Sequence, residues 1–96
     1  MSKEFQPGDI VRLNRALIRI LHGQEGQTGW YLEEFGVYGD ETVIGRIPKD
    51  TLGKIVATGS SNLYWVVFRG RKEPIDIVSV YISRISPLEL LARAAD

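Results

Sequence analysis

The segment Asn62-Leu63-Tyr64-Trp65-Val66-Val67-Phe68-Arg69-Gly70 places β-branched and aromatic residues between two turn formers. Successive side chains on a strand point to opposite faces, so Tyr64, Val66 and Phe68 share one face and Leu63, Trp65, Val67 and Arg69 the other. Both faces carry bulk. A strand in the wall of a small barrel needs to bury only one of them, so Trp65 and Val67 call for a cover: an inserted segment, a helix or a partner. This excess of apolar surface predicts contact.

Working outward, Thr51-Leu52-Gly53-Lys54-Ile55-Val56-Ala57 reads as a glycine-led strand, joined to the aromatic one by a hairpin loop over 58–62. Gly70-Arg71-Lys72-Glu73-Pro74 then turns the chain into Ile75 to Ile82, read as one further strand, so that three consecutive strands make a meander. Upstream, the turn signal Pro7-Gly8-Asp9 opens into Ile10-Val11-Arg12-Leu13, with Val11 and Leu13 on one face. Ala16 to Leu21 is a short apolar run that does not settle its own period; Ile18 and Ile20 favour an extended reading. The glycine-rich polar stretch His22 to Gly29 predicts an exposed, mobile loop. Trp30 to Phe35 and Val37-Tyr38, followed across Gly39-Asp40-Glu41 by Thr42-Val43-Ile44, predict extended arms of a hairpin.

The tail Ser86-Pro87-Leu88-Glu89 carries a Ser N-cap, Pro at the first helical position and Glu three residues after the cap, which predicts a helix over 87–95. Leu88, Leu91, Ala92 and Ala95 form its apolar stripe. About nine residues hold a helix in water only if such a stripe docks, on the barrel or on another chain.

Ninety-six residues suffice for one domain spanning 1–96, which buries about two thirds of the surface its unfolded chain would expose. Hydrophobic residues at 44% and charged residues at 25% are ordinary for a globular domain, and no apolar run approaches the roughly 20 residues of a membrane span. The start lacks the basic and then apolar regions of a signal peptide, so a cytoplasmic location and no membrane association are expected. No cysteine is present, which excludes disulfides, a thiolate nucleophile and cysteine-type zinc sites.

Several short strands, few helices and glycines ahead of two strands predict a mainly β fold, a small and strongly bent antiparallel barrel. The order of Pro7-Gly8-Asp9-Ile10-Val11-Arg12-Leu13, Gly53-Lys54-Ile55-Val56, Tyr64-Trp65-Val66-Val67-Phe68 and then Val78 to Ile85 resembles that of SH3-like barrels. The chain is similar to small accessory barrels of photosynthetic electron transfer, such as the variable chain of ferredoxin-thioredoxin reductase, and more loosely to KOW-type barrels that touch RNA. The resemblance covers 7–14 and 52–86. It implies an SH3-like barrel with a long inserted arm or hairpin at about 16–49 and a short C-terminal helix. The insert is longer and more aromatic than a barrel loop needs.

Charge is zero overall, with a pI near 6.6, but unevenly spread. The stretch 24–50 is acidic, through Glu25, Glu33, Glu34, Asp40, Glu41 and Asp50, between basic flanks that include Arg12, Arg15 and Arg19 before it and Lys54, Arg69, Arg71 and Lys72 after it. Two readings stand: solvated charges that offset one another, or a bipolar surface that steers a charged partner.

The sequence carries few of the patterns that chemistry requires. There is no G-x-G-x-x-G, no phosphate-binding glycine loop before Lys-Ser/Thr and no H-E-x-x-H. The single histidine, His22, reads as a solvated loop residue rather than a catalytic base. Adjacent carboxylates in Glu33-Glu34 and Asp40-Glu41 point apart on a strand, so they neither converge on an ion nor find a third group to orient them. No catalytic residue, cofactor or metal is assigned.

Binding is the stronger hypothesis. Trp30, Tyr31, Phe35 and Tyr38 concentrate aromatic area in the acidic insert, where they either cap an open end of the barrel or project as anchors. The expected function is a non-catalytic accessory or regulatory module that binds a protein, with Trp30, Tyr31 and Trp65 as anchors and Arg69 matching charge. A homodimer is the self-association variant, through the Leu88 and Leu91 stripe or the Trp65 face. The alternative is a nucleic-acid-binding barrel using Lys54, Arg69, Arg71 and Lys72, which the neutral charge argues against.

Overall fold

A computed structural model describes residues 4–23 and 26–94. Gln24 and Glu25 of the expected loop after His22, and Ala95 of the helix stripe, lie outside the described residues. The elements are β1 (Ile10–Leu13), β2 (Leu17–His22), β3 (Gln27–Leu32), β4 (Glu41–Ile47), β5 (Leu52–Thr58), β6 (Leu63–Phe68), β7 (Ile75–Val78), β8 (Ile82–Arg84) and α1 (Pro87–Ala94). Two antiparallel sheets form: a five-stranded one in the order β7-β6-β5-β1-β8 and a three-stranded one in the order β3-β2-β4. The edges β7 and β8 are not paired with each other, so the larger sheet is not a closed barrel.

Alternation governs the larger sheet. Tyr64, Val66 and Phe68 turn inward to join Val11, Leu13, Ile55, Ile75, Ile77 and Ile82 in one core cluster. Leu17, Leu32 and Ile47 of the small sheet belong to that same cluster, so the insert seats its inner face on the core. Gly53 of β5 is the point of closest approach: a Cβ there would lie 2.6 Å from Val66 Cγ1 and 2.9 Å from Phe68 Cδ1. Only glycine leaves room for both side chains.

Two expectations are corrected, and a third, left open between two outcomes, is narrowed to one. First, β3 and β4 do not form a hairpin with each other; both pair with β2. Leu17, Ile18 and Ile20 are all buried, and a strand with apolar residues on both faces belongs at a sheet's centre. Phe35 ends a 3-10 turn at Glu33–Phe35, and Val37-Tyr38 is not a strand. Second, the strand expected from Ile75 to Ile82 is broken by a 3-10 turn at Ser79–Tyr81. The chain must leave β7 at one sheet edge and reach β8 beside β1 at the other. Asn14 holds this crossing, its N–H donating to Tyr81 O at 2.8 Å and its Nδ2 to Val80 O at 3.3 Å.

Third, α1 docks by its polar side. Ser86 caps it as expected, accepting from the Glu89 N–H at 3.1 Å. Glu89 then takes Arg12 Nη1 at 3.3 Å, and Arg93 Nη1 donates to Asp50 O at 3.0 Å. Leu88 and Leu91 face away and are 81% and 70% exposed. The stripe therefore does not pack on the sheets.

Candidate interaction surfaces

The outer face of the larger sheet is the first surface. Trp65 stands opposite Asp76 on β7 and Ala57 on β5, while Leu63 pairs with Val78 and Val67 with Lys54. A β-bulge between Ile55 and Ala57 leaves Val56 exposed beside them. Leu63, Trp65, Val67, Val78 and Val56 thus form an apolar strip, with Trp65 37% exposed. Arg69 continues the same alternation past the end of β6, where its N–H donates to Leu52 O at 2.9 Å. Lys54 and Arg69 flank the strip, and neither makes an ion pair among the described residues.

Arg71 and Lys72 sit elsewhere. With Arg19, Trp30, Glu73, Pro74 and Ile75 they line a groove of about 430 Å3 between the β6–β7 turn and the insert. The Arg71 guanidinium lies 4.6 Å from the Trp30 ring centroid. Gly45 of β4 lies against this pair, where a Cβ would stand 3.1 Å from Arg71 Nη2 and 3.5 Å from the Trp30 ring. The four cations grouped by the sequence are therefore divided, Lys54 and Arg69 on the outer face, Arg71 and Lys72 in the groove.

The insert aromatics divide as well. Trp30 packs against the core cluster. Tyr31, on the other face of β3, lies over Gly29, where a Cβ would be 3.0 Å from its ring, and its hydroxyl is 3.0 Å from His22 Nε2. Phe35 and Tyr38 project, at 62% and 73% exposure. His22 itself is not the loose loop residue that its glycine-rich surroundings suggested. As the last residue of β2 it stands opposite Glu41 of β4, whose Oε2 is 2.9 Å from its Nδ1. A carboxylate, an imidazole and a phenol thus run in series at the tip of the small sheet. No local signal predicts the series, because it arises from strand register across the insert.

Four acids of the middle segment have a basic partner within the fold. Glu33 is bound by Arg46, Glu34 by Arg15, Glu41 by His22 and Asp50 by Arg12. The Arg46 guanidinium, hydrogen-bonded to Glu33, holds that carboxyl below its ordinary pKa and raises its own. Among the described residues no three His, Asp or Glu side chains gather as a metal site, and no helix is long and apolar enough to cross a membrane. Comparison of the chain with known protein families, with curated proteins and with solved structures found no match.

Proposed function

We propose that this chain is a non-catalytic binding module of the SH3-like type, an accessory or regulatory part of a larger assembly, which docks a protein partner on the outer face of β5, β6 and β7. The SH3-like reading is supported by connectivity. One strand, β1, borders both the first strand of a meander and a short last strand that follows a 3-10 turn, and the long insert falls between β1 and the meander. The observation that carries the binding reading is the uncovered strip around Trp65. Of the covers the sequence allowed, the insert seats on the core side and α1 is held by Arg12 and Asp50. Partly buried tryptophans within apolar patches are the commonest energetic anchors of interfaces, and Lys54 and Arg69 supply a charged rim. Trp30 and Tyr31 lie on β3 of the small sheet rather than on this face, so the reading of this surface rests on Trp65 and Arg69.

The test is capture from a native lysate with nuclease treatment and a salt series, followed by reconstitution with the purified partner. Trp65→Ala is expected to weaken the reconstituted complex at least tenfold while the variant remains folded. Unchanged affinity with a large loss of stability would assign Trp65 to the core. Recovery of nucleic acid that salt releases would favour the RNA-binding alternative, although division of Lys54 and Arg69 from Arg71 and Lys72 disfavours a single phosphate track. A second copy as the captured partner would identify a homodimer.

A further inference from the structure

Two sheet edges face each other across a crevice. It is about 150 Å3 and is lined by Trp30, Tyr31 and Leu32 of β3 on one side and Ile75 to Val78 of β7 on the other, with Leu17 and Tyr81. The register shows what each edge offers. Ser79 N–H donates to Asn62 O at 2.8 Å, so Leu63 and Val78 are a wide, non-hydrogen-bonded pair, and Tyr64–Ile77 and Val66–Ile75 are the narrow ones. The N–H and C=O of Asp76 and the N–H of Val78 consequently point away from β6. On β3, Glu33 N–H donates to Ala16 O at 2.9 Å, which makes Leu17–Leu32 and Arg19–Trp30 the wide pairs. The N–H and C=O of Trp30 and the N–H of Leu32 point away from β2.

Unpaired strand edges are templates for another strand. The crevice shares Trp30 and Ile75 with the larger groove, so the two adjoin. At that end stand Arg19, Arg71 and Lys72, none of them in an ion pair among the described residues, against the single carboxylate of Glu73. The chain direction of β7 runs from this basic end toward Val78. A strand added antiparallel, the commoner arrangement, runs the other way and brings its C-terminal side to the cations.

We propose that the β3–β7 crevice and the groove adjoining it are a docking site for an extended segment of a partner protein. The segment adds antiparallel to β7, sets alternate apolar side chains against Trp30, Ile75 and Ile77, and places a carboxylate on its C-terminal side among Arg19, Arg71 and Lys72. Main-chain pairing supplies affinity, and the side-chain alternation and the carboxylate supply selectivity. This surface meets the Trp65 strip along β7, at Asp76 and Val78, but offers the sheet edge rather than the outer face, and it does not depend on Trp65.

The probe is a display library of random ten-residue peptides selected on the full chain. Enriched peptides are expected to alternate apolar residues ahead of an acidic residue, and to shift the amide resonances of Asp76, Val78, Trp30 and Leu32. Lys72→Glu replaces an exposed side chain that has no hydrogen bond or ion pair among the described residues, and should weaken these peptides at least tenfold. Restoration by peptides carrying lysine in place of the acid would fix the contact. Asp76→Pro removes an outward N–H without touching the β6 ladder and should abolish binding while the thermal transition persists. Trp65→Ala should leave the affinity unchanged. No enrichment, enrichment without carboxylates, or peptides insensitive to both Lys72→Glu and Asp76→Pro would overturn the proposal. So would peptides lost with Trp65→Ala, which would place them on the outer face instead. Tighter, strongly salt-dependent binding of a twenty-nucleotide polyuridylate in the absence of peptide enrichment would make the groove a nucleic-acid site.

Discussion

Val66→Ala and Val67→Ala make the same chemical change at adjacent positions of one strand, and differ only in which face loses the methyl groups. Val66 is completely buried in the core, opposite Ile55 and Ile75, whereas Val67 is half-buried on the outer face opposite Lys54. Two methyl groups removed from full burial forfeit ~1.6 kcal/mol at about 0.8 kcal/mol each. A residual cavity of ~40 Å3 adds ~1 kcal/mol at about 24 cal/mol per Å3. Val66→Ala should therefore cost about 2–3 kcal/mol, and at roughly 4–8 °C per kcal/mol for a domain of this size it should lower Tm by ~10–20 °C. At Val67 the partial burial and the absence of a closed cavity leave about 0.5–1 kcal/mol. Urea and thermal unfolding followed by far-ultraviolet circular dichroism, repeated over a hundredfold range of protein concentration, measures both, and a common m-value confirms that only stability has changed. Equal losses at the two positions would refute the reasoning. If the Val67→Ala loss also grew with protein concentration, the outer face would be covered by a second copy rather than open to a different partner.

Gly53→Ala places a methyl group 2.6 Å from Val66 Cγ1 and should destabilise by about 1–3 kcal/mol through overpacking, read by the same unfolding assay; a stable variant would mean that Val66 and Phe68 can retreat. The Glu33 carboxyl titrates below its ordinary pKa because Arg46 hydrogen-bonds its charged form. A depressed carboxyl contributes stability above the unfolded pKa and loses it as pH falls through the folded value, so acid should open the Glu33–Arg46 link only below the usual glutamate range. In carbon-13 titrations of the side-chain carboxyls, Arg46→Gln should return Glu33 to that range, and an unmoved Glu33 would dissociate its pKa from the guanidinium.

What the sequence discloses is local, and what it withholds is set by partners far along the chain. Alternation from Leu63 to Phe68 predicts both faces of β6, because period two is a property of one strand. The Ser86 cap is likewise legible, being written within four residues. The centre of the small sheet is not: Ile18 and Ile20 show that β2 is extended, but whether β3 pairs with β4 or both pair with β2 depends on which side of β2 each return segment falls. The helix stripe shows the limit most clearly. Leu88 and Leu91 define an apolar side that should dock, yet Arg12 and the Asp50 carbonyl hold the opposite, polar side, and neither lies within thirty residues of α1 in sequence. His22 is similar, a solvated residue by composition and the middle of a Glu41–His22–Tyr31 series by register.

Net charge conceals how the charges are used. Four acids of the middle segment are met locally, Glu33 by Arg46 and Glu41 by His22 from the insert, Asp50 by Arg12 of β1 and Glu34 by Arg15 just after it. Arg19, Lys54, Arg69, Arg71 and Lys72 are left without carboxylate partners among the described residues. These cations flank the outer strip on one side and fill the end of the β3–β7 groove on the other. A chain of zero formal charge thus presents two apolar surfaces edged by these cations, with Asp76 beside the first and Glu73 beside the second. With a screening length of about 8 Å at physiological salt, each surface is governed by its own nearby cations and not by the balance of the whole chain. The neutral pI that argues against a long polyanionic track is compatible with short acidic segments, because a segment needs to satisfy only the two or three cations that it reaches.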